Sequence, residues 1–186
     1  MAIHSACSTQ RRKTLPIKDI ARLGLMVAVL EVSKLALNSA PNIELISFWV
    51  ILFTLHTGWR TLYAVYVFVL LEGILFGIHF WWISYLYVWA VLVLITQLFR
   101  NQESPLFWSM LSAMFGLGFG ALCAIPYGIT GALNGGLWNG AIAAFSWWVA
   151  GIPYDLLHCA GNFVMALMLF VPLRRVLERL CGGEKI

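Results

Sequence analysis

The stretch from Tyr154 to Leu180, YDLLHCAGNFVMALMLFVPLRRVLERL, opens on Asp155, His158 and Asn162, spaced three and four apart. At 3.6 residues per turn that spacing stacks the three polar groups on one face of a helix. An apolar run from Phe163 to Leu173 follows, and then the basic cluster Arg174, Arg175 and Arg179. The pattern predicts a helix with a polar face at one end and cationic anchors at the other. The rest of the chain is expected to form an all-α bundle that shields this face and presents it to one side of a membrane.

Composition sets the class. The chain is 61% hydrophobic and 11% charged, with nine Trp and twelve Phe in 186 residues, whereas a soluble domain carries about 25% charged residues. Its apolar residues fall in long runs instead of alternating, which is the signature of membrane spans. The net charge of +4 comes from residues that flank those runs. They read as topology signals, and nucleic acid is excluded as a partner. Cys7, Cys123, Cys159 and Cys181 form no metal or redox spacing. No cofactor or metal is expected.

Residues 1–16 hold Arg11, Arg12 and Lys13 and read as a cytoplasmic tail. A membrane domain at 17–180 and a short tail at 181–186 follow. The first span runs from Ile17 to Leu37. Glu31 and Lys34 interrupt it, and Pro41 sits where cleavage would fall, so it is a poor signal sequence. The second span, Ile43 to Thr57, is short and closes at Gly58. The third runs from Trp59 to Ile78 and contains Glu72, with Gly73 and Gly77 four apart. An aromatic connection, His79 to Trp82, leads to a fourth span that reaches Phe99. RNQESP, Arg100 to Pro105, turns the chain into a fifth span, Leu106 to Ile125. There Gly116, Gly120 and Ala124 make a stripe that permits close helix approach. From Pro126 to Pro153 the pattern breaks. GITGALNGGLWNG is too rich in Gly and Asn to span, and AIAAFSWWVAG is too short. The expectation is one long external loop with an interfacial or re-entrant helix at Ala141 to Ala150.

Six spans put both termini on the same side. With the N-terminus inside, eleven of the twelve Lys and Arg fall in inner segments, and only Lys34 lies in the outer half. That bias predicts a cytoplasmic N-terminus. Asp155, His158 and Asn162 then sit at the outer end of the last span. The outer ends of the other spans add Asn38, Asn42, Glu44, His79, Trp81, Trp82 and Tyr85, and the long loop adds Asn134 and Trp138. These residues are the candidate binding site.

Ionisable groups inside spans cost about 2.5–3.5 kcal/mol each on insertion scales, so they face a cavity or a partner. Glu31 and Lys34 are spaced to pair with one another, either as a strut or as part of the site. Glu72 suits a buried, hydrogen-bonded strut. Structural roles stand beside the functional ones elsewhere too. Asp155 can cap the last helix, Asn162 can serve an interhelical hydrogen bond, and most tryptophans belong to the core or the interfacial belt. His158 lacks a second His or Cys at a spacing useful for a metal.

With these residues in view, the chain resembles an S-component, the substrate-capture subunit of an energy-coupling factor (ECF) vitamin transporter. The resemblance rests on small size, six spans and the segments PNIELISFWVILFTLHTGW, LLEGILFG and GIPYDLLHCAGNFVMALMLFVPLRRVLERL. It covers nearly everything from Ile17 onward. It implies that a vitamin is bound at the outer face of a prokaryotic plasma membrane. The subunit would then dock on a transmembrane coupling protein carrying two ATPase subunits, and topple to release the vitamin inside. It also implies a small-residue docking motif on the first span, for which Ala21, Gly24 and Ala28 are the nearest match, with Gly where the family pattern has Ala.

The chain has no Walker-type phosphate loop, so ATP hydrolysis is left to partners. The expected function is vitamin binding without chemistry. Convergent rings and amides favour a corrinoid such as cobalamin, with riboflavin or a pyridoxine-like vitamin next. The alternative is an intramembrane enzyme using Asp155 and His158 as acid and base on a lipid or prenyl substrate. It lacks a nucleophile elbow or a second catalytic cluster.

Overall fold

The computed structural model describes residues 16–39 and 43–180. The tails expected before Pro16 and after Leu180, and the candidate Asn42, lie outside them. Every regular element among the described residues is helical: α1 (Ile17–Ala36), α2 (Ile46–Thr57), α3 (Thr61–Phe76), α4 (Phe80–Leu98), α5 (Pro105–Cys123) and α6 (Ile125–Leu180). Three helical stretches, Ile46–Phe76, Phe80–Leu98 and Pro105–Arg179, are long and apolar enough to cross a membrane. They mark an integral membrane protein.

The limits of the helices follow from local chemistry. Gly58 ends α2 with φ 63°, a left-handed backbone that glycine adopts without strain, and a 3-10 turn at Gly58–Arg60 leads into α3. Gly77, at φ 87°, ends α3 in the same way. Ser104 caps α5, its hydroxyl accepting from the Phe107 amide at 3.4 Å, with Pro105 at the first helical position.

Two ion pairs pin α1 parallel to α3. Arg60 reaches Asp19 at 2.9 Å at the start of both helices. Lys34 pairs with Glu72 near their ends. The pairing of Glu31 with Lys34 expected from spacing gives way to this cross-helix contact, because Glu72 lies at the matching depth on α3. Glu72 is buried, as expected, with an ammonium for its partner.

The centre of the bundle is α2. Eight of its twelve residues are buried. It packs on α1, α4, α5 and α6, so it has no polar face and no amphipathic period to detect. Phe48, Ile51 and Leu52 join Leu30, Phe68, Trp89, Trp108 and Phe170 in the core.

The segment from Pro126 to Pro153 departs most from expectation. It is not a loop with one interfacial helix. Residues 125–134 continue from α5 as a helix, the chain reverses at Gly135 and Gly136 (φ 82°), and residues 137–180 form one long helix. The two arms make an antiparallel hairpin with a seam of small residues. Ser112, Gly116, Gly120, Ala124, Gly128 and Ala132, each four apart, lie along one arm. A Cβ on Gly140 would stand 2.6 Å from the Gly128 carbonyl and 2.7 Å from the Ala132 Cβ. One on Gly131 would stand 2.9 Å from the Ala143 Cβ. Glycine weakens a lone helix by about 1 kcal/mol, but it lets two backbones approach, and the contact offsets the local cost. The second arm, at 1.5 Å per residue, is about 66 Å long and exceeds a hydrocarbon core of about 30 Å.

Candidate functional site

Glu44 stands just before α2 and serves three residues. Its carboxylate accepts from the Ile46 amide at 2.8 Å, from the Ser47 amide at 3.2 Å and from the Ser47 hydroxyl at 2.5 Å. Its Oε1 also lies 2.9 Å from His158 Nε2, on α6. A carboxylate at a helix N-terminus satisfies free amides and meets the positive end of the helix dipole. The His158 ring packs edge-on against Phe119 of α5, centroids 4.9 Å apart.

Phe119 leads on to Tyr85, the hub of the aromatic cluster. Tyr85 meets Trp81 and Trp89 edge-to-face, with centroids 5.2 Å from each, and stacks on Phe68 at 6.5 Å. Lys34 lies over the Tyr85 ring and carries the cluster to Glu72. Lys34, Glu44, Glu72, Trp81, Tyr85, Phe119 and His158 thus gather at one end of the bundle. Asp19, Arg22, Arg60 and Arg174 occupy the other.

Asp155 and Asn162 share a face with His158, as the spacing predicts, and both are buried. Each is engaged by α5. Asp155 accepts from the Gly120 amide at 3.0 Å, and Asn162 donates to the Ser112 carbonyl at 3.2 Å. Asp155 is therefore not a helix cap, since its helix begins far upstream, at residue 137. Asn162 does make the interhelical hydrogen bond anticipated for it.

The other candidates scatter. Trp82 donates its indole N–H to the Val69 carbonyl at 2.8 Å and covers Gly73, which holds α4 on α3. Asn38 and His79 are exposed at the ends of α1 and α4. Asn134 and Trp138 stand at the hairpin tip, Trp138 being 76% exposed. Along the helix Trp138 is about 36 Å from Asn162, so the two cannot share a ligand, contrary to the expected convergence. Asn134 instead lines a groove of about 550 Å³ with Phe80, Tyr127, Thr130, Ser146 and Trp147. The stack of Phe80 on Tyr127 (4.9 Å) and Tyr127 on Trp147 (3.8 Å) forms its floor.

Sequence reasoning missed Phe68, Phe76 and Phe119, because a phenylalanine in an apolar helix looks like every other. The pairing of Lys34 with Glu72 did carry a signal. Opposite charges stand at equal depth, three residues before Leu37 and four before Phe76. Among the described residues no group of three or more His, Cys, Asp or Glu is placed to hold a metal ion. Ala21, Gly24 and Ala28 lie exposed on α1, and a Cβ on Gly24 would meet nothing within 4 Å among the described residues.

Compared with known proteins, the chain matches no family model, no curated protein and no solved structure.

Proposed function

We propose that the chain is the vitamin-capture subunit of an ATP-driven uptake transporter of the ECF type, embedded in a prokaryotic plasma membrane. The observation that carries this is the polarity of the bundle. Buried charged groups and stacked rings meet at one end, and arginines anchor the other. Positive residues favour the cytoplasmic side, which turns the ring-lined end outward, where a nutrient is met.

Six crossings suit the helices. The Ile46–Phe76 stretch contains the Gly58 reversal and the Pro105–Arg179 stretch contains the Gly135–Gly136 reversal, so each counts twice. Phe80–Leu98 counts once. Although α1 carries five charged residues, Lys34 is neutralised by Glu72, and Asp19 and Arg22 stand at its start beside Arg60. It is the sixth, with both termini cytoplasmic. The exposed small face of Ala21, Gly24 and Ala28 is the docking surface for a transmembrane coupling protein that carries two ATPase subunits.

The preference for a corrinoid weakens once Asn134 and Trp138 are displaced to the hairpin tip. Trp81, Tyr85 and their neighbours suit a single flat ring system of the riboflavin or pyridoxine kind. An acid/base pair of Asp155 and His158 fits less well, since each is engaged by another group.

The test is to purify the full chain in mild detergent and identify the bound small molecule by mass spectrometry. The expected outcome is one vitamin, released on denaturation, chemically unchanged after long incubation, and raising the melting temperature when added back. Conversion of the bound compound to a product would replace capture with catalysis.

A further inference from the structure

The ammonium of Lys34 sits in a box of four rings. Its Nζ lies 5.1 Å from the centroid of Trp81, 5.2 Å from those of Phe76 and Tyr85, and 6.0 Å from that of Phe68. Beneath it Glu72, fully buried, meets Lys34 through Oε2, while Oε1 accepts no hydrogen bond among the described residues. Glu31, one turn earlier on α1, has both carboxylate oxygens buried without a donor among the described residues. Glu44 does not share the ammonium as a close partner, being engaged by α2 and His158.

Glu72 thus takes the ammonium, and Glu31, one turn from Lys34 on α1, is a second carboxylate with buried oxygens and no ion-pair partner among the described residues. An uncompensated carboxylate in a low-dielectric interior is costly, and the negative faces of the surrounding rings deepen the same potential. The box is one positive charge short. Aromatic boxes over carboxylates attract organic cations and repel anions.

We propose that this box is a subsite for a cationic nitrogen. The captured compound is then a flat heteroaromatic cation, with a protonated or alkylated ring nitrogen, and not a phosphate or a carboxylate. This rests on the capture function above. Lys34 is 25% exposed on a flexible four-carbon stem. Its head keeps one carboxylate as the ligand nitrogen takes the other, and the four charges sum to zero. The ligand ring stacks on Trp81 or Tyr85.

The test titrates the full chain in lipid nanodiscs with 1-methylnicotinamide, whose methylated ring nitrogen carries a fixed positive charge, and with its neutral parent nicotinamide. Tryptophan fluorescence reports binding. The expected result is at least roughly tenfold tighter binding of the cation. Trp81→Ala is expected to erase that preference and Lys34→Met to strengthen cation binding, since a competing ammonium is removed. Equal binding of the two probes, or loss of cation binding in Lys34→Met, overturns the subsite. The wild-type comparison decides alone should a variant not fold. An anionic vitamin co-purified with the chain overturns the cation box but leaves capture standing. Absence of any vitamin tells against capture, while the two probes still decide the box.

Discussion

Glu44 and His158, 114 residues apart in the chain, meet side chain to side chain at 2.9 Å. One carboxylate thereby caps the central helix α2 and ties it to α6. Glu44→Ala removes the cap and the pair together, and the expected loss is about 1–3 kcal/mol. His158→Ala removes only the pair and is expected to cost less. The double variant should be more stable than the sum of the single effects implies, with a coupling of about 0.5–3 kcal/mol. Denaturation of the four proteins in mixed micelles gives that coupling, and strict additivity would show the contact to be incidental.

Tyr87 donates its hydroxyl to the Leu122 carbonyl at 2.6 Å. That carbonyl would ordinarily receive the amide four residues on, but position 126 is proline and has none. Tyr87→Phe leaves a carbonyl unpaired at the base of the hairpin, for an expected cost of about 1–3 kcal/mol. Cleavage by added protease between residues 124 and 130 should rise in the variant. An unchanged melting temperature would mean that another group takes over the carbonyl.

Gly140 makes the closest approach to backbone in the hairpin seam, and its neighbours, the Gly128 carbonyl and the Ala132 Cβ, cannot swing aside. Gly140→Val is expected to part the arms and cost about 1–3 kcal/mol by overpacking. Gly151→Val is a fair control, with open space around it. Spin labels at the exposed Ile129 and Ile142 should report a longer and broader distance in the first variant only. A hairpin that stays closed in Gly140→Val would be inconsistent with the seam.

The proposed topology makes a direct labelling prediction. Single cysteines at Trp59 and Gln102 should react with an impermeant thiol reagent only from the cytoplasmic side, and those at Ser39 and Leu137 only from outside. All four positions are exposed, and Trp59 and Leu137 avoid the positive-φ glycines next to them. External reaction at Gln102 would rule out six crossings.

The α1 surface separates docking from binding. Because a Cβ on Gly24 would meet nothing within 4 Å among the described residues beyond its own helix backbone, Gly24→Leu should leave folding and vitamin affinity within about twofold, a change of under 0.5 kcal/mol, yet abolish uptake in cells. Ala28→Leu should behave alike. Equal loss of affinity and uptake would turn that face into internal packing.

Much of this protein was legible in its residues. Charge content and the length of the apolar runs determined the membrane class, because an uninterrupted apolar helix has few other solvents. Gly58 and Pro105 marked helix limits to within a few residues, since their backbone chemistry acts locally. The three-and-four spacing of Asp155, His158 and Asn162 placed them on one face for the same reason. Tertiary structure alone decided what each group meets. Lys34 takes Glu72 across two helices in place of Glu31 on its own, because the packing of α1 against α3 brings a carboxylate to its depth. His158 takes Glu44 for a like reason. The glycines between 128 and 140 act as breakers by composition, since each weakens a helix by itself; set against a second row of small residues, they let two backbones touch and hold a helix where the sequence pattern predicts a loop.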